Sequence, residues 1–277
     1  FGILWAGSGK IIAITAVFAF VSVIYSLSVP NQYKATALLA PAKSESSGLS
    51  GALGQLGGLA SLAGVSIGGG ESNEMQRAQE IMKSWSFIEG FISENKIAVE
   101  VYAVQGGSRE SDQLQIDDDL YDADTKTWLV KNDYTGELGP PSSWKLFKSF
   151  SERIDVSEDK KSGLVSVSIE YYSPMVAKQW MDMYVAAINA HMQQREMEKV
   201  TNNINYLQAQ IEKTTIAEMR DVFYSIIEEQ TKNKMLAEAS PDYAFVVVSP
   251  SMVPEKKSQP QRALICILGT VFGGILS

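Results

Sequence analysis

Hydrophobic positions follow three patterns along this chain: unbroken runs near both ends, two-residue alternation in short segments, and helical spacing over long ones. Residues 11–27 read IIAITAVFAFVSVIYSL, with no charge and no proline. Extended to Val29, the run reaches about 19 residues, the length at which a helix crosses the core of a bilayer. Lys10 bounds it on one side, Pro30 and Asn31 on the other. It is long for the apolar region of a signal peptide, so a retained transmembrane helix is expected over 11–29. A second uncharged run, 263–277, is too short to cross alone. It is expected to be the start of a second transmembrane helix, cut short by the end of the sequence. Gly269 and Gly273 have GxxxG spacing, with Gly274 adjacent, and this spacing lets another helix backbone approach closely.

Alternation marks strands. QYKATALL (32–39) reads as a strand leaving the first helix, ended by Ala40 and Pro41. Residues 153–156 and 163–172 read as a β-hairpin over the turn 158–162. Val165, Val167 and Ile169 face one way, Ser166, Ser168 and Glu170 the other. One buried face means that this sheet packs against helices. YAFVVVS (243–249) reads as a final strand beside the first.

Helical spacing predicts one helix over 73–95, capped by Asn73, with Ala78, Ile81, Met82, Trp85, Ile88 and Ile92 inward. A short helix over 143–151 would turn Trp144, Phe147 and Phe150 inward. Ser173 as cap and Pro174 at the first helical position open a helix running to about residue 210 or 213, roughly 60 Å long. Ala177, Met181, Tyr184, Val185, Ile188 and Met192 stripe its first half. QQREMEK (193–199) is polar all round, as befits a helix that has left the core, and apolar spacing returns at Val200, Ile204, Leu207 and Ile211. Thr215 and Glu218 have the spacing of a capping box for a return helix over 217–239, which makes a helical hairpin.

The expected class is α+β: two transmembrane helices flank a domain with a small sheet-and-helix base and a long protruding helical hairpin. The expected organisation is an N-terminal segment (1–10), a first span (11–29), a base (30–172), the hairpin or stalk (173–240), a return strand with a proline-rich segment (241–262) and the start of a second span (263–277). Residues 44–70 are rich in Gly, Ser, Ala and Leu and are expected to form a mobile loop. Residues 102–143 are polar and poorly patterned. Lys10 would place the N-terminus in the cytoplasm by the positive-inside rule, and Lys256, Lys257 and Arg262 then fall on the far side against it. The rule has little force across so long a loop.

Charge and chemistry narrow the function. The net charge of −8 argues against a general nucleic-acid binder. The single cysteine, Cys266, can make no intrachain disulfide. The only histidine, His191, lies on the long helix, so no zinc cluster and no Ser/His/Asp set can be argued. Gly7-Ser8-Gly9-Lys10 is not a P-loop, since position 4 is Leu and Ile11 follows the lysine. The aspartates at 117, 118, 119, 122 and 124 lack the glycine and terminal glutamate of an EF-hand and read as a solvated loop. No catalytic residue, cofactor or metal site is expected.

Several stretches then combine: QYKATALLAP (32–41), VSEDKKSGLV (156–165), Tyr172-Ser173-Pro174 opening a long helix, AEMR (217–220), EQTK (229–232), MLA (235–237), DYAF (242–245) and a proline-rich segment before the last apolar run. In this order they resemble the Wzz-type chain-length determinants, the polysaccharide co-polymerases of bacterial surface glycans. The resemblance implies an inner-membrane protein with its large domain in the periplasm. It implies a ring-shaped homo-oligomer, no catalysis, and control of the modal length of a glycan, O-antigen lipopolysaccharide here, made by an integral-membrane polymerase. The bilayer and the growing glycan would be further partners, and nucleic acid would not. Pro250, Pro254, Ser258, Pro260, Arg262, Gly269 and Gly273 match the family's membrane-proximal motif. Gln261 stands after Pro260 where the family has a basic residue. With Lys256 and Lys257, these are the candidates for membrane or polymerase contact. His191, Gln194, Arg195, Glu198, Ile204, Leu207 and Ile211 are the stalk candidates for contact between subunits. The rival readings are the N-terminal part of a tyrosine-kinase-linked co-polymerase and a two-span periplasmic sensor.

Overall fold

The computed structural model describes residues 2–42, 70–107, 113–132 and 136–276, with side chains from residue 13 in the first helix and from residue 75 in the second. Almost all of the glycine-rich stretch 44–70 thus lies outside the described residues.

The first helix, α1, runs Gly2–Ser28 and leads into β1, Tyr33–Pro41. Pro41 is the last residue of the strand rather than a stop after it. β1 is central in an antiparallel sheet with β6 (Ile154–Asp159), β7 (Leu164–Tyr171) and β8 (Phe245–Ser249), in the order β6-β7-β1-β8. Before β6 come α2 (Gly70–Lys83), α3 (Trp85–Asn95), α4 (Ala98–Tyr102), the short strands β2 (Val104–Gly107), β3 (Leu114–Ile116), β4 (Tyr121–Asp122) and β5 (Thr127–Trp128), and α5 (Ser143–Ser151). After β7 come α6 (Pro174–Lys213) and α7 (Ala217–Ala239), and after β8 comes α8 (Arg262–Leu276).

The alternation of β1 and β7 sets the core. Ala35, Ala37 and Leu39 lie opposite Ile169, Val167 and Val165, all buried. The lower half of α6 crosses this face, with Ala177, Met181, Tyr184, Val185, Ile188 and Met192 buried against it. Each large side chain buried there contributes about 1.5–3 kcal/mol. Phe87, Phe91, Phe150, Trp180 and Tyr184 close the core in edge-on and tilted ring pairs. The Tyr184 hydroxyl donates to the Met82 carbonyl, and burial raises its pKa above the ordinary phenol value.

Several expected details differ. The helix over 73–95 is two helices. Ser84 breaks it with an extended backbone, its hydroxyl accepting from the Phe87 amide at 3.4 Å and donating to the Ile81 carbonyl at 2.7 Å. The break turns Trp85 outward, 46% exposed, and Asn73 lies within α2 rather than capping it. Trp144 is 58% exposed while Phe150 is buried, because a nine-residue helix at the edge of the core covers only one flank. Ser168, expected on the open face of β7, is buried. Thr215 and Glu218 form no capping box: the residue before α7 is Ile216, and no side chain caps the helix. The poorly patterned 102–143 holds two small two-stranded ladders, β2-β3 and β4-β5.

α6 and α7 form the long hairpin, and α1 packs along α8. Among the described residues no helix is long and apolar enough to cross a membrane.

Candidate functional site

Two places gather the candidate residues: the collar where α1 and α8 meet the base, and the hairpin that leaves it. The collar is built by backbone pairing. The Gln32 amide donates to the Gln259 carbonyl at 2.9 Å, and the Ser258 amide donates to the Gln32 carbonyl at 2.8 Å. The segments on either side of the domain are thereby fastened to each other. The Ser258 hydroxyl adds a bond to Gln32 at 3.1 Å. Asn31 Oδ1 accepts from Arg262 Nη2 at 3.2 Å and from Lys257 Nζ at 3.4 Å, so one neutral amide holds two cations. Pro260 is buried, Pro254 is half-buried, and Lys256 is exposed.

Below the collar, small residues let α1 and α8 approach. A Cβ added at Gly269 would lie 2.5 Å from Ser22 Cβ, and one at Gly273 would lie 2.6 Å from Phe18 Cβ. Both glycines therefore face α1 of the same chain, while Gly274 faces open space.

Above the collar, Pro250 and Ser251 line a groove of about 470 Å³ with Asp182, Asn189, Gln193 and Val247. The Ser251 hydroxyl donates to Asp182, which also pairs with Lys178 one turn earlier. Asn189 is the hub. Its Oδ1 accepts from the amides of Ala244 at 3.0 Å and Phe245 at 2.8 Å, and its Nδ2 donates to the Phe245 carbonyl at 2.8 Å. One turn on, Gln193 Nε2 donates to the carbonyls of Ala237 and Ser240 at 2.7 and 3.1 Å, pinning the end of α7. The sequence held a signal for Asn189: it is polar, yet it stands one turn after Val185 on the buried stripe.

Of the stalk candidates, His191 is half-buried with its ring 5.4 Å from Phe87. Gln194, Arg195 and Glu198 are exposed, and Gln194 donates to Glu198 at 3.0 Å. Ile204, Leu207 and Ile211 are half-buried, on the side of α6 that carries buried Val200.

Chemistry elsewhere is sparse. Among the described residues no three His, Cys, Asp or Glu side chains gather as metal ligands would. In the aspartate run the carboxylates take backbone donors: Asp117 accepts from the Asp119 amide, and Asp122 from the amides of Asp124 and Thr125. Thr125, through its side chain and its amide, holds Asp122 below the ordinary carboxylate pKa. Arg153 lies over the rings of Tyr171 and Tyr172. Burial raises the Tyr171 phenol against the pull of that cation, and its hydroxyl donates to the Glu100 carbonyl at 2.8 Å.

The described residues form an α+β base, a protruding helical hairpin and a pair of apolar helices, α1 and α8. Residues 1–95, which cover α1, β1, α2 and α3, match the family model "Wzz: Chain length determinant protein". The resemblance to Wzz-type chain-length determinants therefore stands for this part of the chain. Among solved structures, a "full-length bacterial polysaccharide co-polymerase" is similar, with 12% identity over 99% of this chain and 92% of that one, at a TM-score of 0.38. A "Fragment of WzzB, Polysaccharide Co-polymerase from Salmonella Typhimurium" aligns at 10% identity over 83% of this chain and 100% of the other, with a TM-score of 0.35. No curated protein sequence matches the chain.

Proposed function

We propose that the protein is a non-catalytic regulator of the modal length of a surface polysaccharide, O-antigen lipopolysaccharide being the first candidate. It acts as a ring-shaped homo-oligomer beside an integral-membrane polymerase. The carrying observation is the family match over residues 1–95. α1 and α8, paired through Gly269 and Gly273, anchor the chain in the inner membrane, with the base and stalk in the periplasm. The cations of the collar, Lys256, Lys257 and Arg262, lie where they meet lipid headgroups. Because Gly269 and Gly273 are engaged within the chain, contact with a polymerase falls to the outer face of the pair. There Ile267, Leu268, Val271 and Phe272 are exposed.

Deletion of the gene, with complementation, and electrophoresis of the surface glycan test this. Loss of a clustered length distribution, restored by the gene, is the expected outcome. A distribution indifferent to the gene refutes the role.

A further inference from the structure

We propose that the outer face of α6 on one chain packs against an apolar stripe of α7 on a second copy, with both stalks pointing the same way. This rests on the oligomeric reading above, and it moves the contact away from Ile204, Leu207 and Ile211.

α7 has two seams. Phe223, Ile227, Gln230, Lys234 and Ala237 are its covered positions, and their alternating steps of four and three residues keep them on one side, toward α6. Met219, Val222, Ile226, Glu229, Asn233 and Leu236 repeat with the same steps roughly 100° around the helix. All six are exposed, Val222 by 54% and Met219 by 46%. A second heptad stripe that the chain's own partner helix leaves uncovered has the form of a second helix seam.

α6 carries the complement. Arg195, Lys199, Asn202, Tyr206, Ala209 and Lys213 also repeat in steps of four and three, and all are exposed, Tyr206 by 64%. This ridge bears three cations and no acid, although Lys199 also pairs with Glu196 beside it at 3.0 Å, whereas the α7 stripe bears no cation and includes Glu229, with Glu218 beside it. Among the described residues Arg195, Lys213, Glu218 and Glu229 take part in no ion pair.

Height along the stalk brings the two faces into register. At 1.5 Å per residue from the corner, Lys213 and Glu218 both lie within about 3 Å of it. Tyr206 lies about 12 Å down, between Val222 at about 9 Å and Ile226 at about 15 Å. Lys199 at about 22 Å falls beside Glu229 at about 20 Å. Cations thus meet carboxylates at equal height, and the tyrosine ring fills the gap between two aliphatic side chains. The α7 stripe meeting itself on parallel stalks would instead set Glu218 and Glu229 beside their own copies, which like-charge repulsion opposes. The contact uses two different faces, so each copy engages a neighbour on either side and the arrangement repeats around a ring.

The test uses two tagged forms of the full chain in one cell, both Cys266→Ser. One carries Tyr206→Cys and the other Val222→Cys. Mild oxidation of membranes should give a covalent dimer bearing both tags, since a disulfide needs Cβ atoms within about 4.5 Å. Gln208→Cys, exposed on another face of α6, should give none with Val222→Cys. Adding Ile226→Asp to the Val222→Cys chain should lower the yield several-fold. Absence of the Tyr206–Val222 dimer, equal yield from Gln208→Cys, or indifference to Ile226→Asp overturns the proposal. The surface glycan of the same cells separates the two claims. Clustered lengths without the cross-link defeat the interface and leave the regulator standing. A cross-link in cells whose glycan ignores the gene upholds the interface and defeats the regulator.

Discussion

Replacing Asn189 with alanine should loosen the foot of the stalk. The side chain is 3% exposed and makes three hydrogen bonds to β8 and the residue before it, at 2.8, 2.8 and 3.0 Å. Each contributes about 0.5–1.5 kcal/mol net, so their joint loss costs about 1.5–4.5 kcal/mol. The substitution leaves two amides and one carbonyl without their partner. The adjoining groove of about 470 Å³ admits water, and water that pairs with these groups holds the cost near about 2–3 kcal/mol. For a domain of this size each kcal/mol moves Tm by roughly 2–4 °C, so a fall of about 4–12 °C is expected. Thermal unfolding of the full chain in detergent gives the total, and hydrogen exchange at the Phe245 amide gives the local effect. A Tm within about 1 °C of the parent, with unchanged exchange at Phe245, would show that the hub carries no stability.

Gly273→Leu should separate α1 from α8, since even a Cβ there would meet Phe18 Cβ at 2.6 Å; overpacking of this kind costs about 1–3 kcal/mol, so Tm of the full chain in detergent should fall, and an unchanged Tm would refute the close approach. Asp159, at the end of β6, accepts chiefly from the Lys161 amide and also from the Ser162 hydroxyl, which together hold its pKa below the ordinary 3.8. The folded value being the lower one, the turn's stabilisation is full above pH 3.8 and is lost as pH falls through the folded value. Carboxyl titration followed by NMR should give a midpoint below that of an unfolded peptide, and an equal midpoint would remove the claim.

Sequence pattern was enough where one local rule governed. Ser173 and Pro174 open α6 as expected, with the Ser173 hydroxyl accepting from the Val176 amide at 3.2 Å. The hairpin at 154–171 pairs as expected, and its burial follows the alternation apart from Ser168. Pattern was not enough where tertiary contacts chose between local options. The apolar spacing through 73–95 runs across Ser84 unbroken and so hides the cap that the Ser84 hydroxyl gives a second helix. Thr215 and Glu218 have the spacing of a cap, but the corner places Ile216 at the capping position. The ladders within 102–143 have strands of two to four residues, too short for alternation to register. At the candidate site the collar residues could be named from the proline and glycine motif, while their pairing with Asn31 and Gln32 depends on two segments more than 220 residues apart in sequence. Asn189 is marked in the sequence only as a polar residue on an apolar stripe, and what it and Gln193 hold is set by β8 and the end of α7.

The pairing of Gln32 with Gln259 has an engineering consequence. A domain whose entry and exit are tied together by a few backbone bonds is a cassette inserted into a two-helix hairpin. The whole segment between Asn31 and Pro260 would then be exchangeable with that of a related chain while α1 and α8 keep their mutual register. Stalk and base would travel as one module, separable from the helices that hold it in place.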